Sequence, residues 1–152
     1  MIWITIRFPI KKYYLCDKKE IKKTLKDKCL IAPNHTSAYD APFVYMSTMF
    51  TRVRMVSLVY VFKLKLVAWA FIHAGVIKYD RDKGFDLDCF RETNGILQGN
   101  GVVAIFPQGH VMKPGEPVNK FMPGLALYSL KHHAPVIPYY YKTPNRAFHV
   151  SH

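Results

Sequence analysis

Short, uninterrupted runs of apolar residues recur along the chain and predict buried strands. The strongest is VVAIF at 102–106, a run rich in β-branched residues. CLIAP at 29–33 and VRMVS at 53–57 predict two more strands, and shorter ones are predicted at 75–81 and 135–138. Strands without polar alternation are typical of parallel sheets that are covered on both faces.

Segments with a helical pattern separate these strands. Helices are predicted at 40–50, 86–101 and 124–133, and a helical or irregular apolar stretch at 58–74. In the helix at 86–101, Asp86 can cap the start and Gly99 the end. Because strands and helices alternate, the sequence predicts an α/β fold with a mainly parallel central sheet flanked by helices.

The size of the chain fits a single domain. Its 152 residues, half of them hydrophobic, suffice for one core. We expect a basic N-terminal segment at 1–28 and a core at 29–140 that carries the candidate motifs. The lysine-rich residues 17–28 predict either a solvated helix or loop, or an arm that lies on anionic lipid.

The charge of the chain indicates a polyanionic partner. Lysine and arginine outnumber the acidic residues by 22 to 10, which gives a formal net charge of +12. Nucleic acid, an anionic membrane surface and a phosphorylated substrate all fit this excess. A nucleic-acid-binding domain is the weaker alternative, because no RRM, KH or zinc-finger signature is present, and we expect no nucleic-acid partner.

The cysteines indicate a reducing compartment. Cys16, Cys29 and Cys89 are odd in number and widely spaced, which argues against a disulfide framework and a thiolate zinc site, so we expect a cytoplasmic location. No apolar run reaches the about 18 residues of a spanning helix. The first 12 residues carry their charges after a short apolar run, the wrong order for a signal peptide. They predict either a first strand or the end of a longer membrane anchor.

A polar loop, NHTSAYD, follows the strand predicted at 29–33. His35 lies at the carboxyl end of this strand, where open α/β sheets bind their ligands. Ser37 and Asp40 fit a capping box, with Ser37 as N-cap and Asp40 at position N3. Because helical side chains lean toward the N-terminus, we expect the Asp40 carboxylate to point toward His35.

Such a contact suits general-base catalysis. Asp40 would accept a hydrogen bond from one imidazole nitrogen of His35, and the other nitrogen would take a proton from a substrate hydroxyl, as in a Ser-His-Asp triad. Two structural alternatives remain open: Asp40 only caps a helix, or His35 is a partly buried loop residue. A serine hydrolase would need Ser37 or Ser57 as its nucleophile, but the chain has no G-x-S-x-G elbow.

Three further stretches follow NHTSAYD in order: GVIKYDR at 75–81, IFPQGHV at 105–111 and FMPGLALYSLKHHAPVIPYY at 121–140. Together the four resemble the motif blocks of the glycerolipid acyltransferase family, the lysophosphatidic acid acyltransferases and their relatives. The resemblance covers about residues 28–140. It implies transfer of an acyl group from a CoA or acyl-carrier-protein thioester to a hydroxyl of a glycerol phosphate or lysophospholipid, with no metal and no further cofactor.

The resemblance also implies roles for the motif residues. His35 would be the general base, Asp40 its partner, and Arg81 the residue that holds the acceptor's phosphate. A guanidinium presents a planar fork of donors that suits phosphate. The structural alternative for Arg81 is an ion pair with Asp80 or Asp82. The third block would contribute these substrate-binding residues: Phe106, Pro107, Gln108, Gly109 and His110.

The third block departs from the family pattern. Gln108 stands where glutamate is usual, His110 where threonine is usual, and Met122 where a basic residue is common. A different acceptor, reduced activity or a degenerate copy would each account for these changes. The alternative to an active enzyme is therefore a catalytically weakened or inactive lipid-binding relative. The chain is also shorter than typical members, so a fragment or a minimal core is a further alternative.

Two other features have structural interpretations. The apolar stretch at 58–72, with Phe62 and Trp69, is interpreted most simply as core. Its alternatives are the wall of an acyl-chain tunnel and a membrane-facing surface. His132 and His133 close a helix, where cationic side chains are favourable, and no Cys/His spacing of a metal site accompanies them.

We therefore expect an enzyme that binds peripherally at the cytoplasmic side of a membrane. Its expected partners are the lysophospholipid or glycerol phosphate acceptor, acyl-CoA or acyl-carrier protein, and an anionic membrane surface. The acyl-chain length, the acceptor head group and the donor carrier do not follow from the sequence.

Overall fold

A computed structural model describes residues 18–37, 40–48, 53–113, 116–117 and 120–140. The strand or anchor expected in the first 12 residues lies outside the described residues. Five strands form one sheet with parallel pairing: β1 (Cys29–Pro33), β2 (Val53–Leu58), β3 (Ile77–Tyr79), β4 (Val102–Ala104) and β5 (Val136–Tyr139). The predicted α/β fold with a parallel central sheet is confirmed.

The strands are ordered β3-β2-β4-β1-β5 across the sheet. The first described strand is an interior strand, because β1 pairs with both β4 and β5. The path from β1 through β2 to β3 and the path from β3 through β4 to β5 run in opposite directions across the sheet. Because parallel crossovers are right-handed in nearly all proteins, those helices of the two paths that pack on the sheet cover opposite faces.

Helices and 3-10 turns connect the strands. They are α1 (Lys18–Thr24), α2 (Asp40–Ser47), η1 (Val59–Lys63), α3 (Lys65–His73), η2 (Arg81–Lys83), α4 (Leu87–Gln98) and α5 (Gly124–His132). The predicted cap of α4 is present, because the Asp86 carboxylate accepts the backbone N–H groups of Asp88 and Cys89. In the described part of the chain, no helix has the length and apolar character needed to cross a membrane.

Alternate side chains of the strands enter two cores, one on each face of the sheet. On one face, Ile31 of β1 packs with Val44 of α2. On the other, Leu30 packs in one cluster with Leu97 of α4 and Tyr128 of α5. Both faces of the central strands are therefore covered, which explains why their sequences are continuously apolar.

The two described cysteines belong to these cores. Cys29 and Cys89 are buried free thiols. Burial raises the pKa of Cys29 to about 11, with the charge of Asp27 acting in the same direction. Burial likewise raises the pKa of Cys89 to about 11. Because the thiolate is the reactive form, both side chains are structural at neutral pH.

Several element boundaries differ from the predicted ones. The strand predicted at 102–106 ends at Ala104. Ile105 still donates its backbone N–H to the Ile31 carbonyl, with 3.0 Å between nitrogen and oxygen, but Phe106 belongs to the following loop. Strand pairing with the neighbouring chain segment, rather than apolar character, sets where the strand ends.

The apolar stretch at 58–72 is not core, and that interpretation is wrong. No residue of η1 or α3 is buried. Leu66 exposes 81% of its surface and Trp69 exposes 61%. Apolar composition alone does not reveal whether another element covers a helix, which is why the sequence predicts core where the structure has surface.

His132 and His133 close α5, as predicted, but His132 does not expose its ring at the helix end. Its ring is buried against α4, and its Nε2 lies 2.6 Å from the Asn94 Oδ1. Desolvation lowers the pKa of His132, and the positive charges of Lys131 and Lys28 lower it further, which favours the neutral ring. His133 ends the helix with φ at 49°.

Replacing Leu30 by alanine should strongly destabilise the fold. Leu30 is fully buried in an interior strand, and such large-to-small changes lower the free energy of unfolding by about 2–5 kcal/mol. Leu130→Ala is the control, because this α5 side chain is 76% exposed and its loss should cost less than about 0.5 kcal/mol. Urea denaturation followed by circular dichroism measures both variants, and equal losses would contradict the assigned core.

Candidate active site

Three loops meet at one edge of the sheet. Because the strands are parallel, their carboxyl ends lie along the same edge, where open α/β sheets bind ligands. His35 follows β1, Arg81 follows β3 and Phe106 follows β4. Since β1 and β4 are neighbours, the loops that carry His35 and Phe106 lie side by side.

The Asp40 carboxylate organises the loop between β1 and α2. Asp40 is fully buried. Its Oδ2 lies 2.8 Å from His35 Nδ1, and it accepts the backbone N–H groups of Thr36 at 2.6 Å and Ser37 at 2.9 Å. Its Oδ1 has no hydrogen-bond partner among the described residues. One oxygen atom therefore ties a side chain and two backbone groups together.

One half of the predicted capping box is present. The Asp40 carboxylate accepts the Ser37 N–H, and the Asp40 N–H donates to the Ser37 carbonyl at 3.2 Å. The described part of α2 begins at Asp40, and the position N3 expected for Asp40 stays a prediction. Residues 38–39 lie outside the described ranges. The expected orientation of the carboxylate toward His35 is nevertheless observed.

The contacts of His35 define which ring nitrogen carries the hydrogen. An ionised carboxylate only accepts hydrogen bonds, so Nδ1 donates to Asp40 and the neutral ring has its lone pair on Nε2. The ring stacks on Phe106, with 4.2 Å between centroids and 22° between planes. Met112 also donates its backbone N–H to the His35 carbonyl at 2.8 Å. The His35 side chain is 21% exposed, so it is held in place and still accessible to a ligand.

The loop after β4 has a conformation that requires glycine. Gly109 has φ at +70°, in the left-handed region that glycine tolerates best. A Cβ atom there would lie 2.9 Å from Met122 Cγ, so space is also short. Met122 in turn donates its backbone N–H to the Pro107 carbonyl at 2.7 Å. Met122, which departs from the family pattern, therefore packs against the third block.

Gln108 contains a buried acceptor without a donor. Its Oε1 has no hydrogen-bond partner among the described residues. Leaving a buried polar atom unsatisfied costs about 1–3 kcal/mol, so such atoms are rare in folded proteins. A ligand hydroxyl or amine that reached this oxygen would remove that cost.

Arg81 contacts the same loop. Its Nη2 donates to the Gly109 carbonyl, and the side chain is exposed to solvent. The Asp80 carboxylate instead accepts the backbone N–H of Asp82. In the described part of the chain, Arg81 is therefore tied to the third block and not to the acidic neighbours considered as its alternative partners.

Glu116 is a site residue that the sequence reasoning missed. Its carboxylate lies 2.8 Å from His110 Nε2 and accepts the backbone N–H of Lys113 at 2.8 Å. The Lys113 hydrogen bond, followed by that of His110, lowers the pKa of Glu116. A carboxylate six residues after a histidine is too common a spacing to have indicated this pair.

Both ring nitrogens of His110 face oxygen acceptors. Nε2 faces Glu116, and Nδ1 lies 3.1 Å from the Gln108 carbonyl. His110 is thus held between a carboxylate and a backbone carbonyl of its own loop. The third block therefore combines a histidine and a nearby carboxylate, although Gln108 itself has no charge.

Asp40→Ala should destabilise the protein more than His35→Ala. The Asp40 change removes the shared acceptor of the His35 ring and of the Thr36 and Ser37 N–H groups, three hydrogen bonds worth about 0.5–1.5 kcal/mol each. The His35 change removes one hydrogen bond and a stacking contact worth about 0.5–1.5 kcal/mol. Urea denaturation of both variants measures the difference, and an equal or larger loss for His35→Ala would contradict the organising role of Asp40.

Comparison with known proteins identifies the family of the chain. A family model described as Acyltransferase matches residues 15–142, a span that contains all four motif stretches. No curated protein and no solved structure matches the chain. Because the family model covers most of the chain, the chain belongs to the Acyltransferase family, the family of the glycerolipid acyltransferases.

Proposed function

We propose that this acyltransferase moves a fatty acyl group from a CoA or acyl-carrier-protein thioester to a hydroxyl of a glycerol phosphate or lysophospholipid. Family membership supplies the reaction class, O-acyl transfer. The observation that carries the finer proposal is the 2.8 Å contact between His35 Nδ1 and Asp40. It fixes the tautomer of a histidine at the sheet edge where Arg81 also lies.

In the proposed reaction, His35 Nε2 takes the proton of the acceptor hydroxyl. The hydroxyl oxygen attacks the thioester carbonyl carbon, so a C–O bond forms and the carbonyl oxygen becomes an oxyanion. The oxyanion then collapses, the C–S bond breaks, and the thiol leaves with the proton that the imidazolium held. Asp40 stabilises the imidazolium between these steps.

The position of Arg81 supports the choice of a phosphorylated acceptor. Arg81 is tied to Gly109, and His110 follows Gly109 in the chain. The guanidinium of Arg81 complements the charge of a phosphate. The unsatisfied Gln108 Oε1 would accept a hydrogen bond from a glycerol hydroxyl. Phe106 and Pro107 complete the proposed acceptor site.

The proposal includes the partners and the location expected from the sequence. The net charge of +12 suits an acidic acyl donor and an anionic membrane. The acyl donor is a substrate, and no further cofactor or nucleic acid takes part. Binding would be peripheral, at the cytoplasmic side of the membrane.

The second candidate is a lipid-binding relative with weakened catalysis. The observation that favours it is Gln108, which lacks the charge of the usual glutamate and has an unsatisfied oxygen. This candidate would bind lysophospholipid without turnover. The two candidates therefore differ in product formation and not in binding.

Incubation of the purified chain with lysophosphatidic acid and a panel of acyl-CoA and acyl-carrier-protein donors should yield a diacyl product. His35→Ala should lower kcat about 10²–10⁴-fold, because a positioned general base contributes about this much. Mass spectrometry quantifies the product.

His133→Asn is the matched control for this assay. His133 lies before β5, at the opposite edge of the sheet, and asparagine tolerates its φ of 49°. Product formation that survived His35→Ala would contradict the proposed base. A folded protein that bound lipid but used no donor would favour the second candidate.

Arg81→Ala should raise KM for lysophosphatidic acid about tenfold or more, because charge-assisted hydrogen bonds to phosphate would be lost. Transfer to a monoacylglycerol, which has no phosphate, should be unaffected by the same change. Lys83→Ala is the control, since Lys83 is an exposed cation in the same 3-10 turn. Equal losses with both acceptors would argue that Arg81 only shapes the loop.

A further inference from the structure

The surface formed by η1, Leu64 and α3 is apolar and uncovered in the described part of the chain. No residue of η1 or α3 is buried. Its large side chains expose between 42% and 81% of their surfaces, and we call this set the α3 surface: Tyr60, Leu64, Leu66, Trp69 and Ile72. Soluble domains rarely leave several neighbouring apolar side chains exposed unless a partner covers them.

The helix α3 presents its exposed side chains in one arc. At about 100° per residue, Leu66, Trp69 and Ile72 fall on the same half of the helix. The other half packs on η1, where the Phe71 and Phe62 rings meet edge to face at 5.7 Å between centroids. The inner half of α3 therefore has a packing partner, and in the described part of the chain nothing covers the outer half.

The charge around the α3 surface is positive. The sequence contains no acidic residue between positions 41 and 79. Lys63 and Lys65 are exposed, and Lys78 Nζ lies 5.0 Å from the centroid of the Phe62 ring. An apolar patch bordered by cations complements an anionic bilayer, because the headgroups attract lysine and the acyl chains accept leucine.

The opposite face of the sheet lacks this combination. Leu127 and Leu130 of α5 are exposed there as well. However, α5 packs through Tyr128 against α4, and the exposed charges of these two helices are mixed. The acidic Asp88 and Glu92 stand beside the basic Arg91 and Lys131. Acidic groups beside an apolar patch disfavour an anionic membrane, so this mixed surface suits one less than the basic border of the α3 surface does.

The α3 surface begins at the sheet edge that holds the candidate active site. The turn η1 leaves the carboxyl end of β2, and β2 lies between β3 and β4. The loops that carry Arg81 and Phe106 follow those two strands. A lipid in a bilayer beneath η1 would therefore have its headgroup near both loops.

From these observations we infer that the α3 surface docks on an anionic lipid bilayer. Its apolar side chains enter the upper acyl-chain region, Trp69 lies at the interface where tryptophan is favoured, and Lys63 and Lys65 contact the lipid phosphates. We further expect docking to present a lysophospholipid to His35, and this second step rests on the proposed function. A second copy of the chain is the competing occupant of this surface.

The emission of Trp69 reports docking directly. The chain has two tryptophans, so Trp3→Phe leaves Trp69 as the only one. Its emission should move to shorter wavelength with vesicles of an equal mixture of phosphatidylcholine and phosphatidylglycerol, and not with phosphatidylcholine alone. The absence of a shift with the anionic vesicles would overturn the inference.

A pair of glutamine substitutions tests which surface binds. Leu66→Gln with Ile72→Gln should weaken co-sedimentation with the anionic vesicles about tenfold or more, because two apolar side chains leave the acyl-chain region. Leu127→Gln with Leu130→Gln is the matched control on the opposite face and should bind like the unmodified protein. Equal weakening by both pairs would overturn the assignment to α3.

Two measurements on the same variants identify a competing occupant. Analytical ultracentrifugation measures the oligomeric state of the protein and of the Leu66→Gln, Ile72→Gln variant. A dimer that this pair of substitutions converts to a monomer would assign the surface to a second copy. A large loss of stability in urea denaturation of that pair would show that another part of the chain covers the surface. Either result would overturn the inference, which expects a monomer of unchanged stability.

Activity assays of the same variant test the docking inference and the proposed function independently. The Leu66→Gln, Ile72→Gln variant should lose transfer to lysophosphatidic acid embedded in vesicles and keep transfer to soluble glycerol 3-phosphate. Vesicle binding without any transfer would contradict the proposed function and support the docking. Transfer without vesicle binding would contradict the docking and support the proposed function.

Discussion

One buried carboxylate oxygen holds the arrangement on which the candidate site depends. Asp40 Oδ2 accepts from the His35 ring and from the backbone of Thr36 and Ser37. Because Asp40 is fully buried, the loss of these donors would leave a buried acceptor without hydrogen bonds. The orientation of the imidazole, the path of the loop and the start of α2 therefore depend on the same atom.

The parallel sheet provides the second constraint, because it brings distant segments of the chain to one edge. The strand β4 lies beside β1, which places Phe106 against the His35 ring. Arg81 follows β3, two strand spacings from β4, or about 10 Å. A long side chain is needed to cover that gap, and the Arg81 guanidinium reaches the Gly109 carbonyl.

The departures from the family pattern change how charge is distributed in the third block. Gln108 removes a carboxylate, but Glu116 supplies one from the same loop and binds His110. A histidine held by this carboxylate replaces the usual threonine. The block is thus rebuilt around a histidine and a carboxylate, with Arg81 bound to the glycine between Gln108 and His110.

The sequence by itself determined the features that depend on neighbouring residues. Apolar runs predicted the strands, and Asp86 predicted the start of α4. The spacing of His35 and Asp40 within one loop predicted their contact. Only the tertiary structure decided the strand order, the contact between Arg81 and the third block, the role of Glu116 and the exposure of α3. The physical reason is that local hydrogen bonds and periodicity involve a few consecutive residues. Burial and long-range contacts depend instead on which segments the folded chain brings together.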